Sequence, residues 1–197
     1  MGPRVSLPAI RRLVADPGYD NRVLAQQFLL CQGGDEQVFS HALFQDGAYA
    51  SLLHARRRQS HLLAAQWIEP RDVALAAEHF ERAEDARATA AYLRASELLA
   101  NVFHYAQALE LVESGLRHAE NRQPTFPLKL ARSRLLLEIG RSAEATSAGA
   151  VAVKAARRGA EHALGLFTMA SGIRIVDRPD EGWRCWRRRN RWPSSPV

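Results

Sequence analysis

Lysine, cysteine and methionine are scarce in this chain of 197 residues, with two of each. Cys31 and Cys185 lie far apart and neither belongs to a CxxC pair, so a disulfide framework or cysteine zinc site is not indicated, and two reduced thiols are expected. No apolar run approaches the roughly 20 residues that a membrane-spanning helix needs. The opening MGPRVSLPAIRRL lacks the apolar core and small-residue cleavage site of a secretory signal, so a cytoplasmic location is the expectation. The phosphate loop GxxxxGK[ST] is missing, as are HExxH, GxSxG and the kinase motifs. Nucleotide hydrolysis by this chain alone is therefore not expected, and no catalytic residue, cofactor or metal ligand is assigned.

Arginine supplies nearly all of the basic charge. The formal net charge is +6, but residues 183–197 hold five arginines and no acidic residue, and without them the balance is +1. A nearly neutral body disfavours nucleic acid as a partner, because phosphate attraction scales with the cations presented. The segment GWRCWRRRNRWPSSPV at 182–197 carries three tryptophans and no helical stripe beyond its first turn. It reads as a disordered basic tail, truncated or out of frame, with Trp stacking on nucleic acid as the other reading.

What the chain does have is helical periodicity. Short helices are expected at 7–15 and 20–28 around the turn DPGYD, with Asp20 as a cap. Two apolar segments, 28–32 and 37–41, flank Gly33-Gly34-Asp35 and predict a small β-hairpin, the only strand signal found. Two helices followed by a hairpin is the order of a winged-helix unit. The rest reads as helix. Leu43, Ala50 and Leu53 share a stripe, as do Leu62, Ala65 and Ile68. Asp72 caps a helix bearing Val73, Ala76, Ala77 and Phe80. A further helix runs from Asp85 to about Asn101, and Val102, Ala106, Leu109, Val112 and Leu116 form an apolar stripe over 102–119.

A repeat of 37 residues is the strongest internal signal. It places Ser96 on Ser133, Leu98 on Leu135, Leu99 on Leu136, Ala108 on Ala145 and Ala119 on Ala156. A weaker third copy sets Leu93 and Leu130 on Phe167. Two helices per period suit a helical-hairpin solenoid, near the 34 residues of a tetratricopeptide repeat. Each pair then leaves an apolar face that the next pair covers. The expected fold class is mainly α, a small winged-helix-like unit with one hairpin at 1–55, a tetratricopeptide-like α-solenoid at 56–182 and the tail at 183–197. Repeat register puts Tyr92, Arg94, Lys129 and Arg132 on first helices as candidate contacts for a protein or small effector.

Residues 39–61, FSHALFQDGAYASLLHARRRQSH, concentrate histidine, serine, aspartate and arginine. A catalytic triad is defined by geometry, so this inventory assigns none. His54 and His61 fall seven apart on one helical side, which aromatic–polar packing explains without a metal. Arg56-Arg57-Arg58 reads as a solvated helix start.

The longer stretch FSHALFQDGAYASLLHARRRQSHLLAAQW resembles the segment that follows the nucleotide-binding core in bacterial STAND-type ATPases. These include predicted ATPases fused to class III nucleotide cyclase domains, and LuxR-type regulators with helical repeats. The matching positions are Phe39, His41, Leu43, Tyr49 to Leu53, Arg57, Arg58, His61, Ala65 and Trp67, and the likeness extends over about 7–182. Ser40 and Phe28 depart from the pattern. The resemblance implies that His41 senses a nucleotide phosphate, and that the ATPase module is supplied in trans. It also implies a non-catalytic regulatory and protein-interaction role, as the rear part of a signalling ATPase or transcriptional regulator. The alternative expectation is a DNA-binding winged-helix regulator reading bases through Asn21, Arg22, Gln26 and Gln27.

Overall fold

The computed structural model describes residues 5–27, 30–33, 36–119 and 125–175. The chain forms two compact units, Met1–Ala88 and Thr89–Val197. The sequence placed a boundary at 55, whereas the contacts group the next two helices with the N-terminal residues. The expected tail at 183–197 lies outside the described residues.

The first unit begins with strand β1 (Val5–Ser6) and helix α1 (Leu7–Val14), which has Pro8 in its first turn where a missing N–H costs nothing. Helix α2 (Arg22–Gln26) is a single short turn, and its first N–H donates to the Asp20 carboxylate at 3.1 Å. Strands β2 (Leu30–Gly33) and β3 (Glu36–Phe39) pair antiparallel, Leu30 opposite Phe39 and Gly33 opposite Glu36. β1 adds to the free edge of β3, with Val5 opposite Gln37, giving the order β1-β3-β2. This third strand was not expected. Two residues are too few to show an alternating pattern. Residues 34 and 35 of the expected turn lie outside the described residues.

Helices α3 (Ala42–Ser51), α4 (His54–Ile68) and α5 (Val73–Arg82) complete the unit. Asp72 caps α5 by accepting the Leu75 N–H at 2.9 Å. α4 packs on α5 and on α1, and Ala65, Ala76, Ala77 and Phe80 are fully buried. The stripe expected on α3 is not a buried one. Leu43 and Leu53 are 71% and 80% exposed, and α3 has no buried residue.

The second unit is a succession of five helices: α6 (Arg87–Asn101), whose first two residues belong to the first unit, α7 (Tyr105–Ala119), α8 (Phe126–Glu138), α9 (Ser142–Ala155) and α10 (Gly159–Ile175). Each helix from α7 onward packs on the next, and α10 also touches α8. The core passes along the series in linked clusters. Ala108, Leu109 and Val112 of α7 meet Leu128, Leu135 and Leu136 of α8 and Ala145 and Ala148 of α9. Phe126 and Leu130 then meet Ala152, and Val153 meets Leu166 and Met169. Each pair thus covers the apolar flank of its neighbour, as expected of a helical-repeat array.

The 37-residue register extends to single hydrogen bonds. α6 ends with the His104 N–H donating to the Leu99 carbonyl at 2.9 Å and the Phe103 N–H to that of Ala100 at 3.0 Å. α8 ends with the Arg141 N–H on Leu136 at 2.8 Å and the Gly140 N–H on Leu137 at 3.0 Å. Both turns need one residue in the left-handed region, Phe103 at φ 63° and Gly140 at φ 80°. That turn corrects one expectation. The stripe drawn through Val102 into the following helix is broken, because Val102 and Phe103 lie in the turn and α7 starts a new phase at Tyr105. Val102 is 57% exposed, and Leu98, matched to buried Leu135, is 51% exposed.

Candidate functional site

Helices α6, α8 and α10 are the first helices of successive pairs, and one flank of each faces a common groove of about 460 Å³. Leu93, Leu130 and Leu164 supply its apolar lining, and Glu97, Arg134 and Glu161 its charges. Positions 93, 96–97 and 100–101 of α6 recur at helical spacing and form one stripe beside the buried Tyr92 and Ala95. α8 lines the groove at 126–127, 130–131 and 134–135. Leu93 and Leu130 occupy one repeat position, and Glu97 and Arg134 another, so the period that builds the core also builds the groove. Arg134 carries no ion pair among the described residues, and Glu161 accepts the Arg157 N–H at 2.8 Å. The arrangement suits an extended ligand with an apolar side chain between polar groups.

The four residues expected to line this groove lie elsewhere. Tyr92 is 2% exposed, its Cβ packed beside Gly115, so it belongs to the core and offers no surface. Arg94 is exposed but is not part of the lining, and Lys129 is half-buried outside it. Arg132 points to α7, where Glu113 holds it at 3.4 Å, and it borders a smaller cleft of about 320 Å³ with Glu144 and Ser147. All four stand on α6 or α8, but none lines this groove. Glu97, Asn101, Arg134 and Glu161 line it instead.

The proposed base-reading helix is also rearranged. Asn21 is 4% exposed and its amide donates to the Gln37 side chain of β3, itself 5% exposed. It ties the helical segment to the sheet and is not available to a base edge. Arg22 is exposed beside Asp20 at 3.8 Å, and Gln26 and Gln27 are exposed at the end of the short α2. His41 caps α3, its Nδ1 accepting the Leu43 N–H at 3.2 Å, with its ring edge on Phe44.

Two other members of that polar stretch, Tyr49 and His61, come together with His79. The Tyr49 hydroxyl of α3 lies 3.0 Å from His61 Nε2 of α4, and His61 Nδ1 lies 2.9 Å from His79 Nδ1 of α5. Burial, the neighbouring His79 and Arg82 push the His61 pKa down to about 4, and burial followed by Arg82 lowers that of His79. Both rings are neutral at pH 7. The arginine run is structural: Arg57 stacks over Tyr49 at 5.4 Å, and Arg58 donates to the Ala83 carbonyl at 3.0 Å and pairs with Glu84 at 3.7 Å. His54 also bonds Glu84, at 3.2 Å, so His54 and His61 serve different contacts. No group of three or more His, Cys, Asp or Glu among the described residues is placed to hold a metal.

No family model matches the chain, and neither a curated protein nor a solved structure matches it. No helix among the described residues is long and apolar enough to cross a membrane.

Proposed function

We propose that this chain is a non-catalytic interaction module that binds an extended segment of a protein, or a small effector, in the groove of α6, α8 and α10. The observation that carries the reading is a groove lined by all three first helices, in which Leu93 and Leu130, and Glu97 and Arg134, stand at shared repeat positions of α6 and α8 and combine apolar with charged lining. In this reading the first unit is a winged-helix remnant, and the chain works in the cytoplasm as the rear part of a signalling ATPase. The likeness of residues 39–67 to the segment after the nucleotide-binding core supports that placement. His41, exposed at the start of α3, would then meet a nucleotide held by an ATPase module on another chain.

The test is a selection of random peptides on the whole immobilised chain, followed by affinity measurement of resynthesised hits. Arg134→Glu and Glu97→Lys, both at exposed positions, are expected to weaken the hits about tenfold or more, the scale of one lost charged contact. Arg94→Glu, on α6 outside the lining, is expected to leave them unchanged. Hits that bind the Arg134→Glu/Glu97→Lys double variant as tightly as the wild type would place the site elsewhere.

A further inference from the structure

Helix α3 is held to the rest of its unit by very little. It buries no residue, and only Leu52 and Leu53 separate it from α4. Tyr49 makes its side-chain tie to α4, through the hydroxyl on His61 Nε2 at 3.0 Å and an edge-to-face ring contact at 5.8 Å. His61 depends in turn on His79, Nδ1 to Nδ1 at 2.9 Å.

Two imidazole nitrogens at that distance share a single hydrogen, one donating and the other accepting. Neutral rings satisfy the line in two ways. Tyr49 donates to His61 and His61 to His79, or His79 donates to His61 and His61 to Tyr49. One added proton is still accommodated, with His79 doubly protonated and donating to His61. A second proton puts hydrogen on both Nδ1 atoms, and the rings must separate.

The charged neighbours favour separation. From α5, Arg82 adds positive charge, partly offset by Glu78 at 3.7 Å. On α4, Arg57 lies over the Tyr49 ring, and Glu84 beyond α5 is engaged by His54 and Arg58. The charged residues of α1, which packs on α4, are Arg11 and Arg12.

We propose that Tyr49, His61 and His79 form an acid-sensitive latch that fixes α3 to the α4–α5 pair and releases it when both imidazoles are protonated. Release carries His41 away with α3, along with the exposed Leu43 and Phe44, and leaves the repeat unit intact. The latch is a conformational device independent of the groove.

Amide hydrogen exchange of the whole chain, corrected for intrinsic rates, tests it across pH 7 to about pH 3.5, a window that reaches past the His61 titration at about 4. Opening of residues 42–51 is expected to increase about tenfold or more over this range, while α7 to α9 keep their protection. His61→Gln/His79→Gln retains a side-chain hydrogen bond without a titrating ring, and is expected to flatten the response. Tyr49→Phe is expected to open α3 already at neutral pH. Unchanged protection of α3 once both histidine resonances have titrated would overturn the proposal. So would an acid response that persists in the Gln pair, or loss of protection in α3, α4 and α5 together. Should the Gln pair fail to fold, Tyr49→Phe with wild-type protection of α3 at neutral pH would overturn it alone.

Discussion

Replacing Gly165 with alanine should destabilise the second unit, against the usual sign for a glycine inside a helix. Exposed helical Gly→Ala changes gain about 1 kcal/mol from propensity. At Gly165 in α10 the added Cβ would lie 2.9 Å from Val153 Cγ2, 3.3 Å from Val153 N and 3.4 Å from its Cα. A helical valine has one strongly preferred rotamer, so its methyl cannot turn aside cheaply. The remaining relief is to push α9 away from α10, and overpacking of this kind costs about 1–3 kcal/mol. A contact under 3.0 Å belongs at the upper end, which leaves a net loss of about 1–2 kcal/mol after the propensity gain. Urea unfolding followed by far-UV circular dichroism measures it. Val153→Ala alone loses packing, but in the double variant the clash is gone, so the two losses should fall short of additivity by the clash itself, about 2–3 kcal/mol. Gly47→Ala in α3, with nothing within 4 Å of the new Cβ, is the control and should be neutral to stabilising. A Gly165→Ala protein as stable as the propensity alone predicts would show that α9 and α10 do not lie this close, and the repeat packing would fail with them.

Gly140→Ala should cost about 1 kcal/mol by backbone strain alone, since φ is 80° and no atom lies within 4 Å of the new Cβ. The repeat-equivalent Phe103→Gly should gain up to about 0.5 kcal/mol in the same urea assay, with its 76% exposed ring giving up little more than an edge contact with Tyr105. The first unit should lose stability as pH falls. His61 titrates at 6.5 when unfolded and at about 4 when folded, so the unfolded chain binds more protons between these values and stability declines across that window, then levels off. At 1.36 kcal/mol per pH unit the ceiling is about 3.4 kcal/mol, and water reaching the half-buried His79 side reduces the expectation to about 2 kcal/mol. Thermal melts from pH 7 to about pH 4 read this directly, and a flat profile for the first unit would refute the buried neutral pair.

Part of the local structure was legible without coordinates. Asp72 caps α5, Asp20 accepts the first N–H of α2, and the 37-residue period returns as two turns that share two equivalent hydrogen bonds. Such features depend on residues a few positions apart, so spacing and side-chain type decide them. Tertiary packing decided the rest. Periodicity marks a helix's apolar stripe but not which flank faces another helix, so Tyr92 was read as surface while Glu97 and Arg134 went unnoticed. The same blindness made α3 look packed, although Leu43 on it and Leu53 just after it are exposed. Residues 49, 61 and 79 stand 12 and 18 positions apart on three helices, and only the crossing of α4 and α5 and the short link to α3 bring them into line. Helix positions follow from short-range pattern, whereas grooves and side-chain clusters follow from long-range contacts that no single helix encodes.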